Sequence, residues 1–430
     1  MVWTALEERK MKLPNSSLVI GILSAISGIY FATALKPAPA NSQTANSVRV
    51  LTAIQKVSSP DKSSLVIADG KSVQESKEPV VGKAAWAFFR GDWSGTGFVS
   101  DSKLPESLDV VWEYEVPKSS FEASPVCVEG KVVAADLDGG LWCLDLKSGK
   151  KIWEVKTKFG FIASPSIHAG KVYIGDIDGV FRCYELETGK QKWDFQAKGE
   201  IDSAANFYEG NVLFGSQDAT LYCLTLEEGK PVWTHSIDDQ IRSSIVITGN
   251  KTFVAGCDAQ LHVIDVQQGT GIEKVELESQ TSSTPCCVGN QVYFGMENGQ
   301  FVCVDIEQKK ILWDWIEAEK SGGIRGSGSV AGSRVVFGTR GSQLNCLDRQ
   351  TGKVIWQLNT KRKIDGSTVI VGNRVYVGDG DGQLLCVDLE TGEIRQKIEL
   401  SGVVLGSPCV VGNQLIVATD EGIVYCLGKK

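Results

Sequence analysis

The chain has 430 residues, of which 46 are glycine and 42% are hydrophobic, and its formal net charge is −8. An acidic chain is not expected to bind nucleic acid, because phosphate recognition requires a basic surface. Only three histidines occur, at unrelated positions. The sequence therefore offers little material for a histidine-ligated metal site or a histidine general base.

The first 35 residues have the pattern of an export signal or a membrane anchor. Arg9, Lys10 and Lys12 precede an uncharged apolar run at 18–35, which is the order of a signal peptide. A helix of this length just spans a bilayer, and the positive charges before it predict that the remaining chain leaves the cytoplasm. Cleavage and retention as a single-pass anchor both stay open; the length of the run favours the anchor.

The next segment, 36–83, is rich in Ser, Ala, Lys, Pro and Val and has no sustained periodicity. Such a composition predicts a flexible tether. The predicted domain organisation is therefore a signal-anchor or signal peptide with a hydrophobic helix at 1–35, a linker at 36–83 and a folded domain at 84–430.

The folded domain is built from a repeated unit. One copy, 171–193, reads KVYIGDIDGVFRCYELETGKQKW, in which alternating apolar residues flank an Asp-Gly turn and predict a hairpin. The turn after the first strand recurs every 40 residues, with one interval of 43, at Gly130, Gly170, Gly210, Asn250, Asn290, Ser333, Asn373 and Asn413. Units of this length with four strands are typical of propeller blades. The sequence thus predicts an all-β, eight-bladed β-propeller.

The two ends of the repeat array predict how the ring closes. The last repeat stops at 426–428 without a fourth strand, whereas 110–114 supplies a fourth strand before the first repeat. We expect this N-terminal strand to complete the last blade and leave no open sheet edge. Large rings at one fourth-strand position are expected to wedge between neighbouring blades, at Trp112, Trp153, Trp193, Trp233, Trp313 and Trp356.

Most of the twelve cysteines also follow the repeat. Seven share one position, at which the fourth repeat has Val263: Cys143, Cys183, Cys223, Cys303, Cys346, Cys386 and Cys426. Copies in separate blades lie too far apart to bond, so they are predicted to be free thiols in the core. The adjacent Cys286 and Cys287 align with ordinary strand positions. Likewise, the Asp-x-Asp-Gly sequences at 136–139, 176–179 and 379–382 predict turns rather than Ca²⁺ sites.

The unit [A/G]-S-P-x-x-x-G-x-V-Y-x-G-x-x-D-G-x-L-x-C-L-D-x-x-T-G-x-x-x-W resembles the pyrroloquinoline-quinone (PQQ)-like β-propeller repeat, and 86–97 resembles the segment that opens such propellers. The resemblance covers 84–430 and implies one of two functional types. Quinoprotein dehydrogenases hold PQQ and usually Ca²⁺ on the ring axis, whereas BamB-type scaffolds of outer-membrane protein assembly are non-catalytic. Blades of near minimal length, extended only at 316–323, are similar to the scaffold type. The chain departs from it in having no cysteine before Cys127 for lipid attachment.

The positions two residues before the small residue of each first strand are predicted to ring the mouth of the central channel: Glu122, Ile162, Asp202, Arg242, Ser282, Arg325, Asp365 and Leu405. The five charged members form the predicted partner-binding site. Two interpretations stay open: Asp202–Arg242 and Arg325–Asp365 pair across adjacent blades, or the charges form a funnel that binds a partner. Residues 324–327, and less closely 241–243, resemble the arginine-containing loop by which BamB-type scaffolds contact their partner.

These features together predict a non-enzymatic, membrane-tethered scaffold on the extracytoplasmic or periplasmic side. We expect a monomer that binds a protein partner in the cell envelope, without catalytic residues, a metal or a cofactor, and without nucleic acid. Two alternatives stay open: a quinoprotein-type oxidoreductase that binds PQQ and calcium, and an extracytoplasmic ligand sensor.

Overall fold

A computed structural model of the protein describes residues 85–100, 103–317 and 322–430. Within these ranges, 33 strands form eight sheets, which confirms the predicted all-β propeller with eight blades. The predicted hydrophobic helix and linker at 1–83 lie outside the described residues. The part of the chain that the structure describes has no helix long and apolar enough to cross a membrane.

Within each blade, the strands of one repeat form an antiparallel sheet in which neighbours in the chain are neighbours in the sheet. The first strands of blades 1 to 8 are Val126–Val128, Ser166–His168, Asn206–Tyr208, Val246–Thr248, Cys286–Val288, Ser329–Ala331, Val369–Val371 and Cys409–Val411. The second strands are Lys131–Ala135, Lys171–Gly175, Asn211–Ser216, Lys251–Ala255, Gln291–Gly295, Arg334–Thr339, Arg374–Gly378 and Gln414–Ala418. The third strands are Gly140–Asp145, Val180–Glu185, Thr220–Thr225, Gln260–Asp265, Gln300–Asp305, Gln343–Asp348, Gln383–Asp388 and Ile423–Gly428. The fourth strands of blades 1 to 7 are Lys151–Lys156, Gln191–Gln196, Pro231–Ser236, Gly271–Glu276, Lys310–Ile316, Val354–Asn359 and Ile394–Glu399.

The fourth strand of blade 8 comes from the other end of the domain. It is Asp109–Glu115, and it pairs antiparallel with Ile423–Gly428, so that Trp112 stands opposite Cys426. The predicted closure of the ring is confirmed. Because this pairing satisfies the free edge of the last third strand, blade 8 has the same four strands as the others.

The predicted tryptophan wedge is also confirmed. In every blade the pairing of third and fourth strands is irregular at the same place, as between Cys143 and Leu144. Such a bulge bends the outer strand and re-aims the side chain beside it. The Trp153 indole N–H then donates to the Leu186 carbonyl oxygen of the next blade at 2.8 Å, and Trp356 donates to Leu389 at 2.8 Å. The tryptophan therefore joins blades both by apolar contact and by a hydrogen bond.

Each wedged indole requires a glycine in the turn of the following blade. A Cβ atom added to Gly189 would lie 2.8 Å from the Trp153 ring, and one added to Gly392 would lie 2.7 Å from the Trp356 ring. Both glycines also have positive φ angles, +70° and +75°. The tryptophan of one blade and the turn glycine of the next therefore act as a matched pair.

Blades 4 and 7 have no wedge tryptophan, and the blade that follows each of them has no turn glycine at the matching position. Blade 4 has Glu273 opposite Val263, blade 5 has Lys309 at the turn, and these two side chains form an ion pair. Blade 7 has Gln396 instead, and its amide group binds both backbone groups of Leu108, at 2.9 and 2.7 Å. Other contacts thus replace the tryptophan–glycine pair at these two joints.

A segment that the repeat does not contain, residues 85–99, runs along the innermost strands. Trp86 forms a bridge to Cys127 of blade 1, and Phe98–Val99 is a short parallel strand beside blade 7. Between them, backbone carbonyls accept N–H bonds from blades 2, 4, 5, 6 and 7, with donors Ile167, Ile247, Cys287, Val330 and Ile370. The side-chain amide of Asn206 in blade 3 also donates to the Trp93 carbonyl oxygen at 3.0 Å. We name residues 85–99 the axial segment, because it contacts seven blades at their first strands.

Arg90 anchors the axial segment. Its side chain is fully buried and donates to Gly328 oxygen at 2.7 Å and Ser329 Oγ at 2.8 Å in blade 6, and to the Thr368 carbonyl in blade 7. It also reaches Ser407 Oγ of blade 8 at 3.3 Å. Burial lowers the pKa of Arg90 to about 10, which leaves the group charged at neutral pH. One guanidinium therefore ties three blades together near the axis.

Replacing Gly189 with alanine should destabilise the protein more than replacing Gly170. Both residues have a φ of +70°, so both variants carry the same backbone strain of roughly 1–2 kcal/mol. Only Gly189→Ala also meets a ring, and such overpacking costs about 1–3 kcal/mol more; a Cβ atom added to Gly170 meets nothing within 4 Å beyond its chain neighbours. Urea unfolding midpoints measure the difference. Equal midpoints for the two variants would contradict the matched-pair interpretation.

Thiol reactivity should separate Cys257 from the rest. All twelve cysteines are free and only Cys257 is not fully buried. Burial raises the pKa of the Cys257 thiol as well as those of Cys143 and Cys426, which reach about 12, so accessibility is what distinguishes Cys257. Because the reagent must reach a thiolate, we expect one equivalent of Ellman's reagent to react in a rapid first phase with the native protein and twelve in guanidinium chloride. The Cys257→Ser variant should lose the rapid phase, and a rapid phase that survives in this variant would refute the expectation.

Candidate functional site at the channel mouth

The eight positions predicted to ring the channel line one cavity. Its volume is about 380 Å³, and its walls are the loops that lead into the first strands. Phe89 of the axial segment and Glu297 of a turn in blade 5 contribute as well. We name this space the mouth cavity. The structure thus brings Glu122, Ile162, Asp202, Arg242, Ser282, Arg325, Asp365 and Leu405 together, and their role in binding a partner stays a prediction.

The predicted ion pairs between adjacent mouth positions do not form among the described residues, so that interpretation was wrong. Arg325 Nε lies 3.3 Å from Glu297 Oε1, in the turn of the preceding blade. Arg242 donates twice to Gln240 Oε1, at 3.0 and 2.8 Å, within its own loop. A nearer acceptor has replaced the expected carboxylate in each case.

The two acidic partners of the predicted pairs also bind other groups. Asp365 Oδ1 lies 3.0 Å from Arg340 Nε, and Lys363 pairs with the other oxygen. Asp202 Oδ2 accepts a bond from Gln217 at 2.7 Å, whereas its Oδ1 is buried and finds no partner among the described residues. Burial raises the pKa of Asp202, because an apolar environment disfavours the charged form.

Charge is distributed unevenly around the mouth cavity. Blades 1 and 3 contribute Glu122 and Asp202, which we name the acidic arc. Blades 4 and 6 contribute Arg242 and Arg325, and both side chains are exposed. These two arginines and the hydroxyl-bearing residues between them form the basic arc, and Glu297, which pairs with Arg325, lines the cavity on the same side. With Asp365 of blade 7, four carboxylates and two guanidinium groups line the cavity.

A second ring, made of hydroxyl groups, also lines the cavity; its residues follow the mouth positions by two in the sequence. The backbone N–H of one blade donates to the hydroxyl of the next at distances from 2.7 to 3.1 Å, which connects six of the eight blade joints. The accepting hydroxyls belong to Ser124, Ser164, Ser244, Thr284, Ser327 and Ser367. We name them the hydroxyl ring. Our reading of the sequence missed its role, although the Ser of the [A/G]-S-P unit was the available signal; blade 3 has Ala204 at this position.

The acidic turns have the structural role that the sequence predicted. Asp136 Oδ1 accepts N–H bonds from Asp138 at 2.9 Å and Gly140 at 2.7 Å, and its Oδ2 accepts from the Trp142 indole at 2.6 Å. These bonds occupy the carboxylate oxygens with turn donors. The vicinal Cys286 and Cys287 are free thiols on a first strand, as expected.

The mouth cavity does not fit a quinone bound together with a metal ion. Its basic arc suits a carboxylate, but the acidic arc repels the further negative charges of PQQ, which is a tricarboxylate. Within residues 85–100, 103–317 and 322–430, no group of three or more His, Cys, Asp or Glu side chains is placed to hold a metal ion. We therefore derive no redox step for this site.

Comparison with protein families agrees with the fold and its repeat. Residues 105–244, 199–274, 270–358 and 340–430 match the family described as outer membrane protein assembly factor BamB. The chain belongs to this family. These matches together span 105–430, from just before the closing strand to the last residue. No curated protein matches the chain.

Solved structures with the same architecture include both functional types. BamB from Moraxella catarrhalis is 18% identical, with 75% of this chain and 98% of that chain covered and a TM-score of 0.64. The quinohemoprotein alcohol dehydrogenase from Comamonas testosteroni is 14% identical, with 82% of each chain covered and a TM-score of 0.70. A europium-containing methanol dehydrogenase is 10% identical, with 81% and 98% covered and a TM-score of 0.68. At these identities the likeness shows the fold alone.

The Asp202→Asn variant should be more stable than the natural protein at neutral and higher pH. Because the pKa of Asp202 is raised in the folded state, folding is favoured while the group is protonated and loses stability as it ionises. Melting temperatures should therefore rise in the variant at about pH 8 and change little at about pH 3, below the unfolded pKa. Asp365→Asn, which breaks a pair with Arg340, is the control and should not stabilise. An equal gain at both pH values would contradict the assignment.

Proposed function

We propose that this member of the BamB family is a non-enzymatic scaffold that docks a protein partner at the mouth cavity. The observation that carries the proposal is the pair of exposed arginines, Arg242 and Arg325, above a cavity whose floor includes Phe89. Exposed arginines beside a concave surface are common at interaction hot spots, because their planar groups bind carboxylates and carbonyls at little cost in desolvation.

The axial segment supports a binding function over a catalytic one. It contacts the first strands of seven blades and places the buried Arg90 close to the axis. The axial segment thus occupies space near the first strands, and the mouth cavity is open to a ligand from outside. An open polar mouth suits a protruding loop of a partner better than an enclosed reacting molecule.

The location of the scaffold is part of the same proposal. The positive, apolar N-terminal region at 9–35 supports a tether to a membrane, with the propeller on the extracytoplasmic side. The partner is then a protein of the cell envelope, and assembly of outer-membrane proteins is the process that the family description suggests. We propose that the propeller acts as a monomer.

Charge reversal at both arginines should abolish partner capture. Arg242→Glu/Arg325→Glu is compared with Lys190→Glu/Lys353→Glu, which makes the same charge change on exposed turns at the opposite face. Each tethered variant is purified after cross-linking in its own membranes. We expect at least a tenfold loss of the captured partner for the arginine variant and none for the control, with equal melting temperatures. Undiminished capture by the arginine variant would refute docking at the mouth.

The quinoprotein alternative comes from two dehydrogenase structures that share the fold. It is tested by adding PQQ and Ca²⁺ to the purified natural protein and following the quinone absorption band and the reduction of a dye. The scaffold proposal expects neither signal. A saturable band with dye reduction would replace it with the oxidoreductase.

A further inference from the structure

The hydroxyl ring has donors that the fold does not use. Each ring oxygen accepts a backbone N–H from the neighbouring blade, which leaves its own hydrogen free. The part of the chain that the structure describes offers no acceptor for the hydroxyl hydrogens of Ser244, Thr284 and Ser327. All three side chains are at least 92% buried and line the mouth cavity. An unused donor in such a place is costly unless something in the cavity accepts it.

These three hydroxyls lie between the two exposed arginines. Ser244 follows Arg242 by two residues, and Ser327 follows Arg325 by two. Ser244 N donates to Thr284 Oγ1 at 2.9 Å, and Thr284 N donates to Ser327 Oγ at 3.1 Å. The bonds hold the three blades in a fixed arc. Two cations and three hydroxyl donors therefore line the same wall of the cavity, where Arg325 is paired with Glu297 and Arg242 has no carboxylate partner among the described residues.

We infer that the basic arc is a carboxylate-binding subsite that receives an acidic side chain of an extended peptide. Because these donors are already held in place, binding of a carboxylate costs little side-chain conformational entropy. Hydrogen bonds to a charged acceptor are also about twice as strong as bonds between neutral groups. This inference rests on the proposed scaffold function, since it names the chemistry of the partner at the same mouth.

The rest of the cavity explains why a peptide suits the site better than a free polyanion. Besides Glu122 and the half-buried Asp202 of the acidic arc, Glu297 and Asp365 line the cavity, so that carboxylates lie on both sides of the arginines. A molecule with several carboxylates meets repulsion there, whereas a peptide can place one carboxylate on the arginines and its neutral backbone N–H groups near the opposite wall. The net charge of −8 repels an acidic peptide from the protein surface in general, so non-specific binding of such a peptide is not expected.

The chain provides matched variants for a test. Ser327→Ala removes a donor of the basic arc, and Ser164→Ala removes the corresponding group of blade 2; each takes away one acceptor of a neighbouring N–H. The natural Ala204 shows that the ring tolerates alanine. Ser327→Thr keeps the hydroxyl and serves as the rescue variant, and Arg325→Gln removes the nearby charge.

The experiment uses the whole protein and a peptide with a single acidic side chain, Gly-Gly-Glu-Gly-amide, which carries an uncharged BODIPY label. Gly-Gly-Gln-Gly-amide with the same label is the neutral control. Fluorescence anisotropy should detect saturable binding of the Glu peptide only. Affinity should fall about tenfold or more for Ser327→Ala and for Arg325→Gln, the range expected for bonds to a charged group. Ser164→Ala and Ser327→Thr should bind as the natural protein does, and melting temperatures of all variants are compared.

Three results would overturn the inference: equal binding of the Gln peptide, equal loss in Ser164→Ala and Ser327→Ala, or saturable binding of PQQ without binding of the Glu peptide. The last result would assign the same donors to a small polycarboxylate. Failure here is distinguishable from failure of the scaffold proposal, since membrane capture that depends on Arg242 and Arg325 can persist when the peptide does not bind.

Discussion

The antiparallel pairing of Asp109–Glu115 with Ile423–Gly428 is the interaction on which the whole domain depends. Apart from the axial segment, the blades pack against their two neighbours in the part of the chain that the structure describes, so this pairing joins the two ends of the array into a ring. Without this pairing, the last third strand would expose an unpaired edge, and the loops of blade 8 would no longer face those of blade 1. The mouth cavity exists because these loops converge.

Two different kinds of contact then fix the angle between neighbouring blades. On the outer side, an indole of one blade lies over a turn glycine of the next, as Trp153 lies over Gly189. On the inner side, a backbone N–H reaches a hydroxyl of the next blade, as Ser124 reaches Ser164 at 2.8 Å. The outer contact buries apolar area, whereas the inner hydrogen bond has a preferred geometry and so orients one blade relative to the next. Both recur with the repeat, so the geometry is uniform around most of the ring.

Whatever repeats in this sequence was predictable, and whatever occurs once was not. The 40-residue period predicted the blades, the closing strand and the convergence of the mouth positions, because each follows from copies of one unit. The partners of Arg242 and Arg325 did not follow, since Gln240 and Glu297 belong to loops whose side chains vary between blades. The course of the axial segment was also hidden, because Arg90 binds residues more than 230 positions away. Single-copy segments carry no periodicity from which a contact could be inferred.

The positions of the axial segment and the closing strand in the chain have a consequence for biogenesis. Both lie among the first residues of the domain, yet Phe98–Val99 rests on Val369–Val371 and Asp109–Glu115 rests on Ile423–Gly428. A chain that emerges from a ribosome or a translocation channel, N-terminus first, must keep these early strands unpaired until nearly all the rest has arrived. The propeller therefore cannot complete its fold blade by blade as the chain emerges. Its last two pairings form only when synthesis or transport of the chain is nearly finished.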